Sequence, residues 1–95
     1  MDLEFDGEVI HWRGPPPYHF VTIPVPESAA LRDASSLVSY GWGVIPVTAR
    51  VGRTEWTTSL FPKDGGYLLP VKDAVRTRLA VDVGDTVTVR LHLDV

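Results

Sequence analysis

Ninety-five residues, 44% hydrophobic and 22% charged, suffice for one hydrophobic core and no second, so a single domain over 1–95 is expected, with function on its surface or at a subunit interface. Nine Lys and Arg against twelve Asp and Glu leave a net charge of −3, which disfavours binding built on many phosphate contacts. The absence of cysteine excludes disulfides, zinc ribbons and thiol catalysis; no apolar run reaches the roughly 18 residues of a membrane span, and the acidic start Met1-Asp2-Leu3-Glu4 is unlike a signal peptide, so a cytoplasmic location is expected.

Residues 3–12 read as a strand. Its apolar positions change parity, from Leu3 and Phe5 to Ile10 and Trp12, and a bulge near Gly7 would absorb the shift. Arg13-Gly14-Pro15-Pro16-Pro17 must be a loop, because consecutive prolines cannot donate ladder hydrogen bonds. Tyr18 to Val25 reads as a second strand. Within Glu27 to Val38, the residues Ala30, Leu31, Ala34, Leu37 and Val38 fall at helical spacing.

Val44 to Val51 and Thr54 to Phe61 read as a hairpin turning at Gly52-Arg53, and Lys63-Asp64-Gly65-Gly66 as a further turn into Tyr67-Leu68-Leu69. Val71, Ala74, Val75, Arg78 and Leu79 predict a helix over 71–80, with Pro70 at its start, where a missing N–H costs nothing. After the turn at Gly84-Asp85, Val87, Val89, Leu91, Leu93 and Val95 alternate with polar residues. That period of two predicts a strand with one buried face. The order is ββαβ twice, with Ile23-Pro24-Val25 before the first helix and Leu69-Pro70-Val71 before the second. Six short strands in this order suggest a closed or split barrel capped by helices.

The segments Gly41-Trp42-Gly43-Val44-Ile45-Pro46-Val47, Thr58-Ser59-Leu60-Phe61-Pro62-Lys63-Asp64-Gly65-Gly66-Tyr67, Pro70-Val71-Lys72 with Val75-Arg76, and Gly84-Asp85-Thr86-Val87 carry a resemblance. The chain resembles a family of small bacterial domains of unknown function, some standing alone and some preceding a YdeI-type (OmpD-associated-like) region. The likeness spans nearly the whole chain and is closest over 41–94. It implies a mainly β fold: a six-stranded double-split β-barrel with two short capping helices and pseudo-symmetric ββαβ halves. That fold is distantly similar to the AbrB, MazE and MraZ group, where a swapped dimer supplies two such halves. The resemblance brings no catalytic residues with it.

His11 and His19 flank the proline loop symmetrically. If their strands pair around residue 15 the imidazoles face each other, close enough to share a metal. Zinc takes three or four ligands and no third is evident, so no metal or other cofactor is expected. Ser59 could be nominated as a nucleophile, but Thr58-Ser59-Leu60-Phe61-Pro62 lacks the strained elbow of a hydrolase. Lys72 and Arg76 lie one helical turn apart, and with Arg50 they are the candidate residues for a small ligand or anion. The competing reading is a solvated helix face offset by Asp64 and Asp73. Trp56 is expected in the core. An exposed Trp42 would mark an interface, and Gly41 and Gly43 beside it a tight turn.

The reading that results is a non-enzymatic binding or interaction module for a small ligand or a protein, without a nucleic-acid or membrane partner. The alternatives are a DNA-binding regulator or antitoxin-like protein, by analogy with the AbrB group, and a metal-assisted or hydrolytic enzyme. Two halves that complete each other predict a monomer or weak homodimer.

Overall fold

The computed structural model describes residues 1–15, 19–38 and 44–94, with backbone only over 35–38. Expectations placed on Pro16, Pro17 and Tyr18, on Gly41-Trp42-Gly43, on Val95 and on the side chains of Leu37 and Val38 lie outside the described residues. The elements in chain order are β1 (Asp2–His11), β2 (His19–Thr22), α1 (Val25–Val38), β3 (Ile45–Val51), β4 (Thr54–Lys63), β5 (Gly66–Val71), α2 (Asp73–Leu79) and β6 (Thr86–His92). All strand pairs are antiparallel, and the barrel closes in the order β1-β2-β5-β4-β3-β6. The mainly β barrel with two short helices therefore stands as read from the sequence.

The two ten-residue strands make the splits. β1 pairs with β6 from Asp2 to Glu8 and with β2 from Val9 to His11. β4 likewise pairs with β3 from Thr54 to Leu60 and with β5 from Phe61 to Lys63. Exchanging β1 with β4, β2 with β5 and β3 with β6 reproduces the same closed order, so the ββαβ halves are related by a pseudo-twofold.

Prolines sit where this geometry tolerates them. Pro46 faces Ser59 of β4 but precedes the β6 ladder, which starts at Thr48. Pro62 faces Tyr67 beyond the end of the β3 ladder, and Pro70 faces Phe20 beyond the end of the β4 ladder. Each has a strand neighbour on one side, so its missing N–H leaves no gap between two ladders.

The interior follows from period two. Phe5, Gly7 and Val9 of β1 point inward, as do Val47 and Ala49, Trp56 and Leu60, Tyr67, Leu69 and Val71, and Val87, Val89 and Leu91. Burying each large aliphatic side chain contributes about 1.5–3 kcal/mol. Trp56 is in the core as expected, and its indole N–H donates to the Pro70 carbonyl at 3.2 Å, as a buried tryptophan requires. Leu93, just beyond β6, completes the alternating face.

Three local expectations are corrected. No bulge interrupts β1: its register with β6 runs unbroken from Asp2↔His92 to Glu8↔Thr86, odd residues stay inward through Val9, and Ile10 belongs to the outer face. Among the described residues the second strand is only His19–Thr22, and Val25 opens α1, with Pro26 in the helix's first turn. Pro70 and Val71 lie in β5 rather than at the head of α2, because Val71 is buried and paired with His19.

α1 packs on β5 and β3 through Leu31 and Ala34, and α2 packs on β4 with Val75 inward. Ser28, buried on the same face of α1, donates its hydroxyl to the Ile23 carbonyl at 3.2 Å. The turn before β6 is pinned to β1: Gly84 N–H donates to Val9 O and Val9 N–H to Asp85 O, both at 2.8 Å.

Candidate functional site

The predicted histidine pair forms. His11 and His19 are cross-strand partners, with ring centroids 5.4 Å apart at 72°. α2 brings Asp73 to 4.0 Å from His19 Nδ1 and Arg76 into the same neighbourhood, where its Nη1 meets Asp82 Oδ1 at 3.3 Å. The His19 side chain is only 13% exposed. Burial holds its pKa below the ordinary value, Arg76 and His11 push the same way, and Asp73 and Asp82 oppose them. His19 Nδ1 and Arg76 Nε are buried without a hydrogen-bonding partner among the described residues. Those residues also hold no group of three or more His, Cys, Asp or Glu placed to bind a metal ion.

The other candidates fall apart spatially. Arg50 stands on the outer face of β3, opposite Arg90 and Glu55, and its Nε donates to the Gly52 carbonyl at 2.9 Å. The shallow grooves it lines include Glu4 and Arg90 but neither Lys72 nor Arg76. Lys72 is the exposed N-cap residue of α2 and makes no side-chain capping bond. Ser59 is half-buried in the middle of β4, opposite Pro46.

A different surface holds the largest exposed aromatic residues among those described. Register places Ile10 beside Phe20, Phe20 beside Pro70, and Phe61 beside Leu68 on the outside of the barrel. Trp12, just past the end of β1, joins them. Part of this surface forms a groove of about 440 Å³ whose walls are Trp12, Pro15, Phe20, Phe61, Pro62 and Leu68. Phe20 is buried and packs edge-on against Phe61, with centroids 6.2 Å apart at 76°. Trp12 remains 39% and Phe61 45% exposed.

Among the described residues one charged side chain, that of Lys63, lines the groove, and its Nζ stands 4.0 Å from the centre of the Trp12 ring. This distance gives a cation–π contact. Among the described residues no carboxylate forms an ion pair with Lys63. A second hollow of about 420 Å³ lies between α1 and the β4–β5 turn. It shares Lys63 and Leu68 with the groove and adds Arg32 and Asp64.

No local motif marks this groove, although its signal is present in the sequence. Ile10, Trp12 and Phe61 are large apolar residues at outward parity, and the parity change in β1 that suggested a bulge is the same signal. Outward aromatic residues from two hairpins mark a surface only once the hairpins are known to be neighbours, which the β2–β5 pairing establishes.

Fold and surface together define the class: a small closed β-barrel of two interlocked ββαβ halves with an aromatic groove on its outside. Within that class the chain belongs to the DUF1905 family, described as a domain of unknown function, whose family model matches residues 5–91. Among curated proteins none matches the chain.

Proposed function

We propose that this domain is a non-catalytic binding module and that its binding surface is the outer groove between Trp12 and Phe61. The supporting observation is the pairing of two large, half-exposed aromatic side chains with a buried aromatic floor, Phe20, in a concavity of small-molecule size. Isolated exposed apolar residues are ordinary; a contiguous aromatic concavity next to a cation is a recognition surface. Each strand of the closed barrel already has two neighbours, which disfavours binding by strand addition and favours a small ligand.

The alternatives draw less support. A DNA-binding role by analogy with the AbrB group needs a continuous basic face. Here Arg90 pairs with Glu4, Arg76 with Asp82, and Lys63 stands over an indole. Hydrolytic or metal chemistry would rest on Ser59, which is mid-strand, or on His11 and His19 with a third ligand supplied from elsewhere.

Amide and indole NMR spectra recorded with indole as a neutral aromatic probe test the groove. Shifts are expected at the Trp12 indole N–H and at the Phe61 and Leu68 amides. Shifts confined to the charged face around Arg50 and Arg90 would sink the assignment.

A further inference from the structure

We infer that the groove takes a flat aromatic carboxylate, with its ring against Trp12, Phe20 and Phe61 and its carboxylate on Lys63; this rests on reading the outer groove as the binding surface. The chemistry of the walls sets the first half of that description. Six lining residues are apolar, and the Phe20–Phe61 pair is an edge-to-face contact that an added ring can extend. A volume of about 440 Å³ fits one or two fused rings and is small for a folded peptide.

Lys63 sets the second half. Among the described residues its ammonium is the groove's single charged lining group and has no carboxylate paired with it, and it is held over the Trp12 ring at 4.0 Å. The indole face attracts the cation but accepts few hydrogen bonds from it, so ammonium N–H donors remain available to an anion. Facing an apolar wall, that anion is better screened from water than on an open surface, which strengthens a charge-assisted hydrogen bond. The chain's net charge of −3 works against any anion, but charges more than about 8 Å away are largely screened at physiological salt. Asp64, next in the chain, lines the adjoining hollow rather than the groove, so Lys63 sets the charge among the groove's described lining residues. Lys63 and Leu68 also line the adjoining hollow, where Arg32 and Asp64 bring opposite charges.

The test compares 2-naphthoate, its neutral isostere 2-naphthamide and the aliphatic hexanoate, each titrated into the intact protein and into Lys63→Met. Dissociation constants are read from the Trp12 indole N–H resonance. The intact protein is expected to bind 2-naphthoate on the order of tenfold more tightly than 2-naphthamide. Lys63→Met, at an exposed position, should erase that ratio while keeping amide binding and lowering the melting temperature only slightly, through loss of the Trp12 cation–π contact. Hexanoate should bind more weakly than 2-naphthoate. Equal binding of naphthoate and naphthamide, or a ratio that survives Lys63→Met, overturns the carboxylate assignment and leaves the groove standing. Hexanoate binding as tightly as naphthoate overturns the aromatic requirement. If neither naphthyl compound moves the Trp12 signal, the groove itself is not the binding surface.

Discussion

Gly7 shows how one residue can be indispensable without a special backbone angle. It is buried in β1 where that strand leaves β6 for β2, and a Cβ there would stand 2.2 Å from the Thr22 carbonyl oxygen and 2.6 Å from Val21 Cγ1. The nearer atom is backbone, so no rotamer change relieves the clash. Gly7→Ala is expected to destabilise the fold by about 1–3 kcal/mol, as overpacking does, and urea unfolding measures it. An unchanged midpoint would mean that β2 shifts freely. His92 illustrates a different residue-scale effect. Its Nδ1 lies 2.7 Å from Asp2 and its Nε2 3.2 Å from Asp94. A protonated ring can donate to both carboxylates, so the bond to Asp2 first and that to Asp94 second raise its pKa above 6.5; the bond to His92 likewise lowers Asp2 below 3.8. Stability from His92 is complete below 6.5 and disappears as pH rises through its raised pKa. That from Asp2 is complete above 3.8 and disappears as pH falls through its lowered pKa. His92→Ala should therefore lower the melting temperature between those two limits and converge with the parent outside them. Because the groups are exposed, the effect should be small and shrink in high salt.

Among the described elements, α2 has an identifiable defect. It spans only Asp73–Leu79, Lys72 provides no side-chain cap, and it ends at Ala80 in the left-handed conformation, φ 54° and ψ 42°. That conformation satisfies the helix end, since the Ala80 N–H reaches the Thr77 and Arg76 carbonyls, but it costs an L-residue roughly 1–2 kcal/mol. Ala80→Gly is expected to recover roughly 1 kcal/mol, less the entropy that glycine adds to the unfolded chain. A destabilised variant in thermal or urea melts would contradict this. The same helix holds Asp73 and Arg76 near His19, so the change should leave the His19 titration in place if the end of α2 acts only as a cap. The element boundaries that sequence reading missed lie close by for a related reason. Pro70 and Val71 suit either a strand end or a helix start by local preference, and the pairing of Val71 with His19, fifty-two positions away in the chain, decides between them.

For the whole molecule, closure is what joins the halves. β2 pairs with β5 and β3 with β6, while β6 also completes the face of β1 and β3 that of β4. Each half thus supplies an outer strand to the other within one chain, which is the contact that a swapped dimer would make between two. A species of one chain's mass is expected in sedimentation at micromolar concentration. A dimer that persists on dilution would show that strands exchange between copies.

Alternation in β6, the Gly52-Arg53 and Asp64-Gly65 turns, and helical spacing in α1 are consequences of neighbouring residues, so the sequence alone determined that strands and helices occur in a repeated ββαβ order. Two-residue turns demand residues at ease with positive φ, as at Gly52, Asp64 and Gly65, and period two needs only one buried face. The facing of His11 and His19 was legible too, since a single hairpin sets it. The aromatic groove was not, and neither was the separation of Arg50 from Lys72 and Arg76. Both depend on which strands become neighbours around the barrel, a choice made by burial of the shared interior rather than by any local run of residues.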